Sequence, residues 1–471
     1  KNVTFSPRLS RKAKRKACRI GTGRGRPVFL EYKMNPLAQE LNQKIVAANP
    51  HVFAMLSELG KEIYFPSKGI LSQSAEASKQ AKRFNATIGT AMSEGQAMFL
   101  PSLMEQLPGI KANDALLYAP SPGLPALRNC WREKTLHDNP SLQGKGFSLP
   151  VVTNGLSHGL SIIADLFIDP GDSFIYPDKN WDNYYLNYVV RAGAEPKLFP
   201  FFAGKGFNVA AFRKAMREYS AGKEKVLVML NFPNNPTGYA PTEAEGEAIA
   251  EALVETAESG VNVVAIIDDA YYGLFFEDSI MPESLFAKLA GRHPRLLAIK
   301  ADAATKEVYV WGLRVGFLSL SVGGAEEGNV LYEALTSKIS GLIRSVGSNC
   351  SELSQYLIVK ALQNPRFYDE RAAKVALMRR RALKVKAVLA NPRYAEAWEA
   401  YPFNSGYFMC LCIKKVDAEV LRKHLLEQYG VGTISITPTD LRVAFSCLEE
   451  GDIQEVFDLI YQAWQDLAAK D

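Results

Sequence analysis

From about residue 148 the chain alternates short apolar runs with longer segments of helical spacing, and few folds accommodate that pattern. "LPVVTNG", "DSFIYP", "PKLFPF", "KVLVMLNFP", "VNVVAIIDDAYYG", "RLLAIKA" and "WGLRVGFLSLS" read as strands. Between them lie stretches such as "SHGLSIIADLFI", "NYYLNYVVRAGA" and "EAEGEAIAEALVETAESG" with apolar residues at helical periods. Strands separated by helices of about ten or more residues need crossovers, which are right-handed and build a mainly parallel sheet covered on both faces. The fold class is α/β.

At 471 residues the chain exceeds the roughly 250–300 that one core serves, so a second unit is expected. Its candidates are a long basic helix (about 364–391), strand-like "GYFMCLCIK", helix "AEVLRKHLLEQYG", strand "LRVAFS" and helix "DIQEVFDLIYQAWQDLA". The spacing also predicts one helix from Met34 to about Leu59. The division that follows is a large α/β domain over 96–375, a smaller α+β domain from 34–95 and 376–471, and a basic extension over 1–33.

Charge and cysteine usage narrow the classes further. Residues 1–33 hold eleven Lys or Arg and one acid, Glu31, for +10, so the remaining chain carries −5 of the net +5. Such an arm is a candidate nucleic-acid or targeting segment, but it has no room for a helix-turn-helix and no apolar signal core. The reading is a non-native or upstream extension, with no nucleic acid as partner. No apolar run nears the roughly 20 residues of a membrane span. Six scattered cysteines without CxxC spacing suggest reduced cytoplasmic thiols, and five dispersed histidines suggest no metal centre.

In an open parallel sheet, ligands bind beyond the carboxyl ends of the strands. The residues there are "TNGLS" (153–157), "YPDKNWDN" (176–183), "NFPNNPTG" (231–238), "DDAYYG" (268–273) and Lys306 after "LLAIKADAAT". Singly each has a structural explanation: a turn for "NNPTG", a strand-end cap for Asp268 or Asp269, a core position for Trp181. Together they gather polar and aromatic groups suited to one anionic aromatic ligand.

The ordered series "TNGLS", "NWDN", "NNPTG", "DDAYYG", "TKEVYVWGLRVG" and "LRVAFS" resembles the class I and II aminotransferases of pyridoxal-phosphate fold type I, in particular the aspartate and aromatic enzymes. The resemblance implies pyridoxal 5'-phosphate as cofactor. It makes Lys306 the residue that bonds the cofactor aldehyde and, once free, carries the substrate proton. Asp268 would face the pyridine nitrogen and keep it protonated. Tyr271 and Asn235 would serve the phenolic oxygen, and Trp181 would stack on the ring. Gly155, Leu156 and Ser157 would offer a helix N-terminus to the phosphate, joined by Arg314 and Thr305. Tyr118 would reach the same phosphate across a homodimer with shared active sites. Ala303 departs from the pattern, standing where the family commonly has a hydroxyl.

For the substrates, an amino acid and a 2-oxo acid, the same resemblance makes Arg442 the holder of the α-carboxylate, beside Asn235 and Trp181. Arg344, five residues before Asn349, matches an arginine that reads a distal carboxylate across the dimer, or else caps its own helix end. The expected activity is an aminotransferase acting on aspartate and glutamate or on aromatic amino acids. The alternatives are a lyase or decarboxylase on the same fold, and a non-enzymatic aminotransferase-like regulator.

Overall fold

The computed structural model describes residues 34–48, 53, 56–64 and 69–469; the basic segment 1–33 lies outside them. Its centre is a seven-stranded sheet of β1 (Val151–Thr153), β2 (Ser173–Pro177), β3 (Glu195–Phe199), β4 (Lys225–Asn231), β5 (Asn262–Asp268), β6 (Leu296–Ala303) and β7 (Gly316–Val322). Their order across the sheet is β1-β7-β6-β5-β4-β2-β3. All pairings are parallel except those of β7, which runs antiparallel to both β6 and β1.

The apolar runs are continuous because both faces are buried. In β4, Val226, Val228 and Leu230 join one core while Leu227 and Met229 join the other; in β5, Val263, Ala265 and Ile267 oppose Val264 and Ile266 in the same way. This period of two leaves no exposed face to mark with polar residues.

A second sheet, wholly antiparallel, consists of β8 (Trp398–Ala400), β9 (Phe408–Ile413), β10 (Ile434–Ser435) and β11 (Asp440–Ala444) in the order β8-β9-β11-β10. The chain near its start joins this sheet's surroundings, since Phe84–Asn85 pairs in parallel with Val431–Gly432. The helices Phe367–Leu389, Ala418–Tyr429 and Ile453–Ala468 stand where the periodicity puts them.

Two segments differ from expectation. Met34 to Leu59 is not one helix: Pro36–Ala48 is helical, and a separate short helix, Glu58–Glu62, begins after Ser57, whose side chain accepts from the Gly60 N–H. The stretch "NYYLNYVVRAGA" forms a π-helix over Tyr185–Arg191. Its wider turn is a rare element and leaves no apolar period by which sequence could distinguish it.

Candidate active site

The carboxyl ends of β1, β2, β4, β5 and β6 lie along one edge of the sheet, and β7, running the other way, brings its beginning there. Gly316 pairs with both Ala303 and Thr153, so the segment before it, which carries Arg314, arrives between the ends of β6 and β1. The loop from Lys306 to Arg314 therefore leaves and returns to one place, closed by the Ala304 N–H donating to the Val315 carbonyl at 3.1 Å.

Asp268 ends β5 and is buried. Its Oδ1 accepts the Ala270 N–H at 3.0 Å and its Oδ2 accepts the Tyr184 hydroxyl. Burial pushes its carboxyl above the usual range, while Tyr184, Ala270 and the nearby Lys306 pull it back. Tyr184 is a member that the sequence reading missed; its only signal was its place three residues after Trp181. The two rings meet edge to face with centroids 5.7 Å apart.

Lys306 sits in the short helix Ala304–Glu307, its Nζ 4.5 Å from the centre of the Tyr271 ring. Burial lowers its pKa to about 8; the Asp268 carboxylate opposes the shift and the Arg314 guanidinium adds to it. At pH 7.5 that leaves about a quarter of the amine neutral, against roughly 0.1% for an ordinary lysine. In the cofactor-free protein, labelling of Lys306 by an amine reagent should accordingly follow a midpoint near pH 8. The unfolded chain retains this proton up to the ordinary lysine range. Between the two midpoints it binds more protons than the folded protein, so the contribution of Lys306 to stability rises with pH across that window.

Arg314 adopts a left-handed backbone conformation, φ 54°, which costs a non-glycine residue about 1–2 kcal/mol. The strain places its guanidinium against Gly155: a Cβ there would lie 2.4 Å from Nη2, and Gly155 itself has φ 79°. Gly155 precedes helix Leu156–Phe167, whose N-terminus carries no side-chain cap. Leu156 is buried and Ser157 half-buried in that first turn. A guanidinium facing the positive end of a helix is unfavourable unless an anion lies between them. Thr305 and Ala303 are buried beside it, and Ala303 offers no hydroxyl.

Asn231, at the end of β4, organises the turn that follows: its Nδ2 donates to the Asp268 carbonyl at 2.8 Å and its Oδ1 accepts the Asn235 N–H at 2.8 Å. The turn closes on Gly238, φ 74°, where a Cβ would stand 2.0 Å from the Phe408 carbonyl oxygen. Only glycine permits that approach between the two sheets.

Arg442 comes from β11 and is 2% exposed. Its Nη1 donates to Asn235 Oδ1 at 2.9 Å, its Nη2 to the Thr87 carbonyl at 2.9 Å, and its face lies 4.1 Å from the Phe408 ring centre. Nε is buried with no partner, and among the described residues no ion pair to Arg442 is present. Burial lowers its pKa, with the Tyr271 phenol the largest opposing influence. Burial in turn raises the Tyr271 phenol while Arg442 draws it down.

Two sequence candidates stand apart from this cluster within their own chain. Tyr118 is 90% exposed. Arg344 is exposed on helix Val330–Gly347 and donates to Ser348 Oγ at 3.2 Å. They share a surface, because Asn349 Nδ2 donates to the Ala119 carbonyl at 3.0 Å and Ser121 Oγ to the Ser348 carbonyl at 3.3 Å.

The donor set suits pyridoxal phosphate. Arg314 and the uncapped helix N-terminus would accommodate an anion, Asp268 would pair with a cationic ring nitrogen, and the Lys306 amine, its pKa lowered, would react with an aldehyde. Among the described residues no helix is long and apolar enough to cross a membrane.

The family model for aminotransferase class I and II matches residues 87–460. A protein of Aquifex aeolicus named "Probable aspartate/prephenate aminotransferase" is 27% identical over 346 residues, covering 71% of this chain and 80% of its own. The aspartate/prephenate aminotransferase of Cereibacter sphaeroides is 26% identical over 357 residues, with the same two coverages of 71% and 80%. An aminotransferase from Anaerococcus prevotii superposes with a TM-score of 0.74 at 22% identity, over 87% of this chain and 99% of that one, a likeness of fold. Neither the lyase nor the regulator alternative is favoured by these matches. With a family match spanning most of its length and a strand-edge site suited to the cofactor, the chain belongs to the class I and II aminotransferases, pyridoxal-phosphate enzymes of fold type I.

Proposed function

We propose that the chain transfers the amino group of aspartate, glutamate or an aromatic amino acid to a 2-oxo acid in a ping-pong cycle, with Lys306 as proton carrier. The observation that carries this reading is the half-buried Lys306 amine, its pKa lowered to about 8, placed with Asp268 and Arg314 at the edge that Arg442 faces. Pyridoxal phosphate supplies an electrophilic aldehyde and an electron-withdrawing ring. Lys306 Nζ takes the proton from the α-carbon of the donor and returns one to the α-carbon of the acceptor in the second half-reaction. Asp268, whose carboxylate the Tyr184 hydroxyl and the Ala270 N–H stabilise against the upward pull of burial, would face the ring nitrogen. Tyr271 and Asn235 would serve the phenolic oxygen, Trp181 would cover the ring, and Gly155, Leu156, Ser157, Thr305 and Arg314 would receive the phosphate. Arg442 receives the α-carboxylate on its two terminal nitrogens.

Substrate preference draws on the aspartate/prephenate relatives and on the surface shared by Arg344 and Tyr118. Leu116 and Leu117, 80% and 60% exposed beside Tyr118, form an apolar patch suited to a second copy of the chain. In such a homodimer Tyr118 would meet the partner's phosphate site and Arg344 a distal carboxylate. Residues 34–95 and 376–471 would then move as a small domain against 96–375, in a cytoplasmic enzyme. An amino-donor panel against 2-oxoglutarate, oxaloacetate and pyruvate tests the assignment. In that panel Arg344→Leu should lower kcat/KM for dicarboxylate donors by about 2 kcal/mol, some 30-fold, and leave aromatic donors within about 3-fold. Equal losses would remove Arg344 from substrate recognition.

A further inference from the structure

Behind the site lies a buried set of charges that the reaction does not touch. Lys134 Nζ meets Glu307 Oε2 and, at 2.7 Å, Asp138 Oδ2; Arg371 lies 3.8 Å from the same two carboxylates. Alongside, Lys300 Nζ stands 2.9 Å from Asp269 Oδ2 and 2.6 Å from Asp302 Oδ2. Trp131 joins the halves, donating its indole N–H to Asp302 at 3.0 Å while Lys134 sits 4.8 Å from its ring centre. Asp302 Oδ1 and Glu307 Oε1 are buried without partners.

Stability does not explain this arrangement. Buried ion pairs are replaceable by apolar residues at little cost, and two orphaned carboxylate oxygens make this one dearer still. Its placement does suggest a use. Glu307 follows Lys306 and Asp269 follows Asp268, so these two residues each have a chain neighbour anchored in the cluster. Asp269 is further fixed by the Ser284 hydroxyl at 2.6 Å and by its own N–H to the Ala301 carbonyl at 2.9 Å.

We propose that Glu307 and Asp269 are positioning residues: held by Lys134 and Lys300, they fix the two turns that present the Lys306 amine and the Asp268 carboxylate to the bound cofactor. This rests on the reading of Lys306 as the cofactor lysine. Four carboxyls oppose three cations in the cluster, so Glu307→Gln brings it to charge balance. Losing a nearby negative charge would by itself lower the Lys306 midpoint. Relaxation of the turn toward solvent would raise it.

The test is Glu307→Gln in the full-length protein, with two readouts. In cofactor-free protein, the pH midpoint of Lys306 labelling should rise from about 8 toward the ordinary 10.5. In the loaded enzyme kcat should fall about 10²-fold, with KM for the amino donor changed no more than about 3-fold. A folded variant whose midpoint is unchanged or lowered overturns the proposal. Should Glu307→Gln fail to fold, Trp131→Phe decides: it keeps the ring stacked on Phe317, 3.9 Å away, and removes the N–H to Asp302. A lower kcat with a raised midpoint supports the proposal there, and wild-type values overturn it. Wild-type protein that takes no pyridoxyl label on Lys306 would instead defeat the underlying reading.

Discussion

Lys306→Ala is expected to lower kcat/KM by at least about 10⁴-fold while leaving the fold intact. Proton transfer by a positioned group is worth roughly 10²–10⁴ in rate, and in the proposed reaction the same amine would also serve as the covalent attachment point. No neighbour can replace it. Lys300, the nearest lysine along the strand, is committed to Asp269 and Asp302, and although burial opposes its charge, those carboxylates outweigh it and hold the proton on. Lys306→Arg should be equally inactive, because a guanidinium keeps the charge but cannot give up its proton near neutral pH. The protein itself should lose nothing in stability below about pH 8, since the replaced group is a half-buried cation penalised by desolvation. Single-turnover measurement of 2-oxo acid release reads the effect. Retention of activity within about 10-fold would mean that another base moves the proton.

The second large effect belongs to Arg442. Arg442→Leu should lower kcat/KM by about 10²–10³-fold for every amino donor alike, because the α-carboxylate is common to all of them. That uniformity separates it from Arg344→Leu, whose effect depends on the side chain of the donor. Arg442→Lys should recover only a small part, since an ammonium lacks the planar fork that takes both carboxylate oxygens. The structure also gives the sign of the stability change. Arg442 is almost fully buried, its Nε has no partner, and its hydrogen bonds end on a neutral amide and a carbonyl. A leucine there should leave the melting temperature unchanged or higher, the pattern of a residue retained for binding. A melting temperature lowered along with activity would point to a structural role.

Much of the sheet was legible because burial on both faces writes itself as unbroken apolar runs in β4, β5 and β6. Several site positions were legible for a related reason: a strand that ends in Asn231 or Asp268 puts a polar residue immediately after an apolar run. Tyr184 was not legible, because the π-helix that follows it has no period to reveal its direction and its aromatic ring looks like core. The Lys300–Asp269 pair was hidden for the opposite reason. Asp269 reads singly as a strand-end cap and nothing marks Lys300, and only the parallel register of β5 and β6 brings their strand ends together. The separate start of the helix Glu58–Glu62 was missed because the apolar spacing carries no sign of it.

Reduction of the loaded protein with borohydride, followed by peptide mapping, addresses the central assignment most directly. A pyridoxyl group on Lys306, within the segment 302–317, is the result expected. A label on any other lysine, or none on a protein that binds the cofactor, would contradict it.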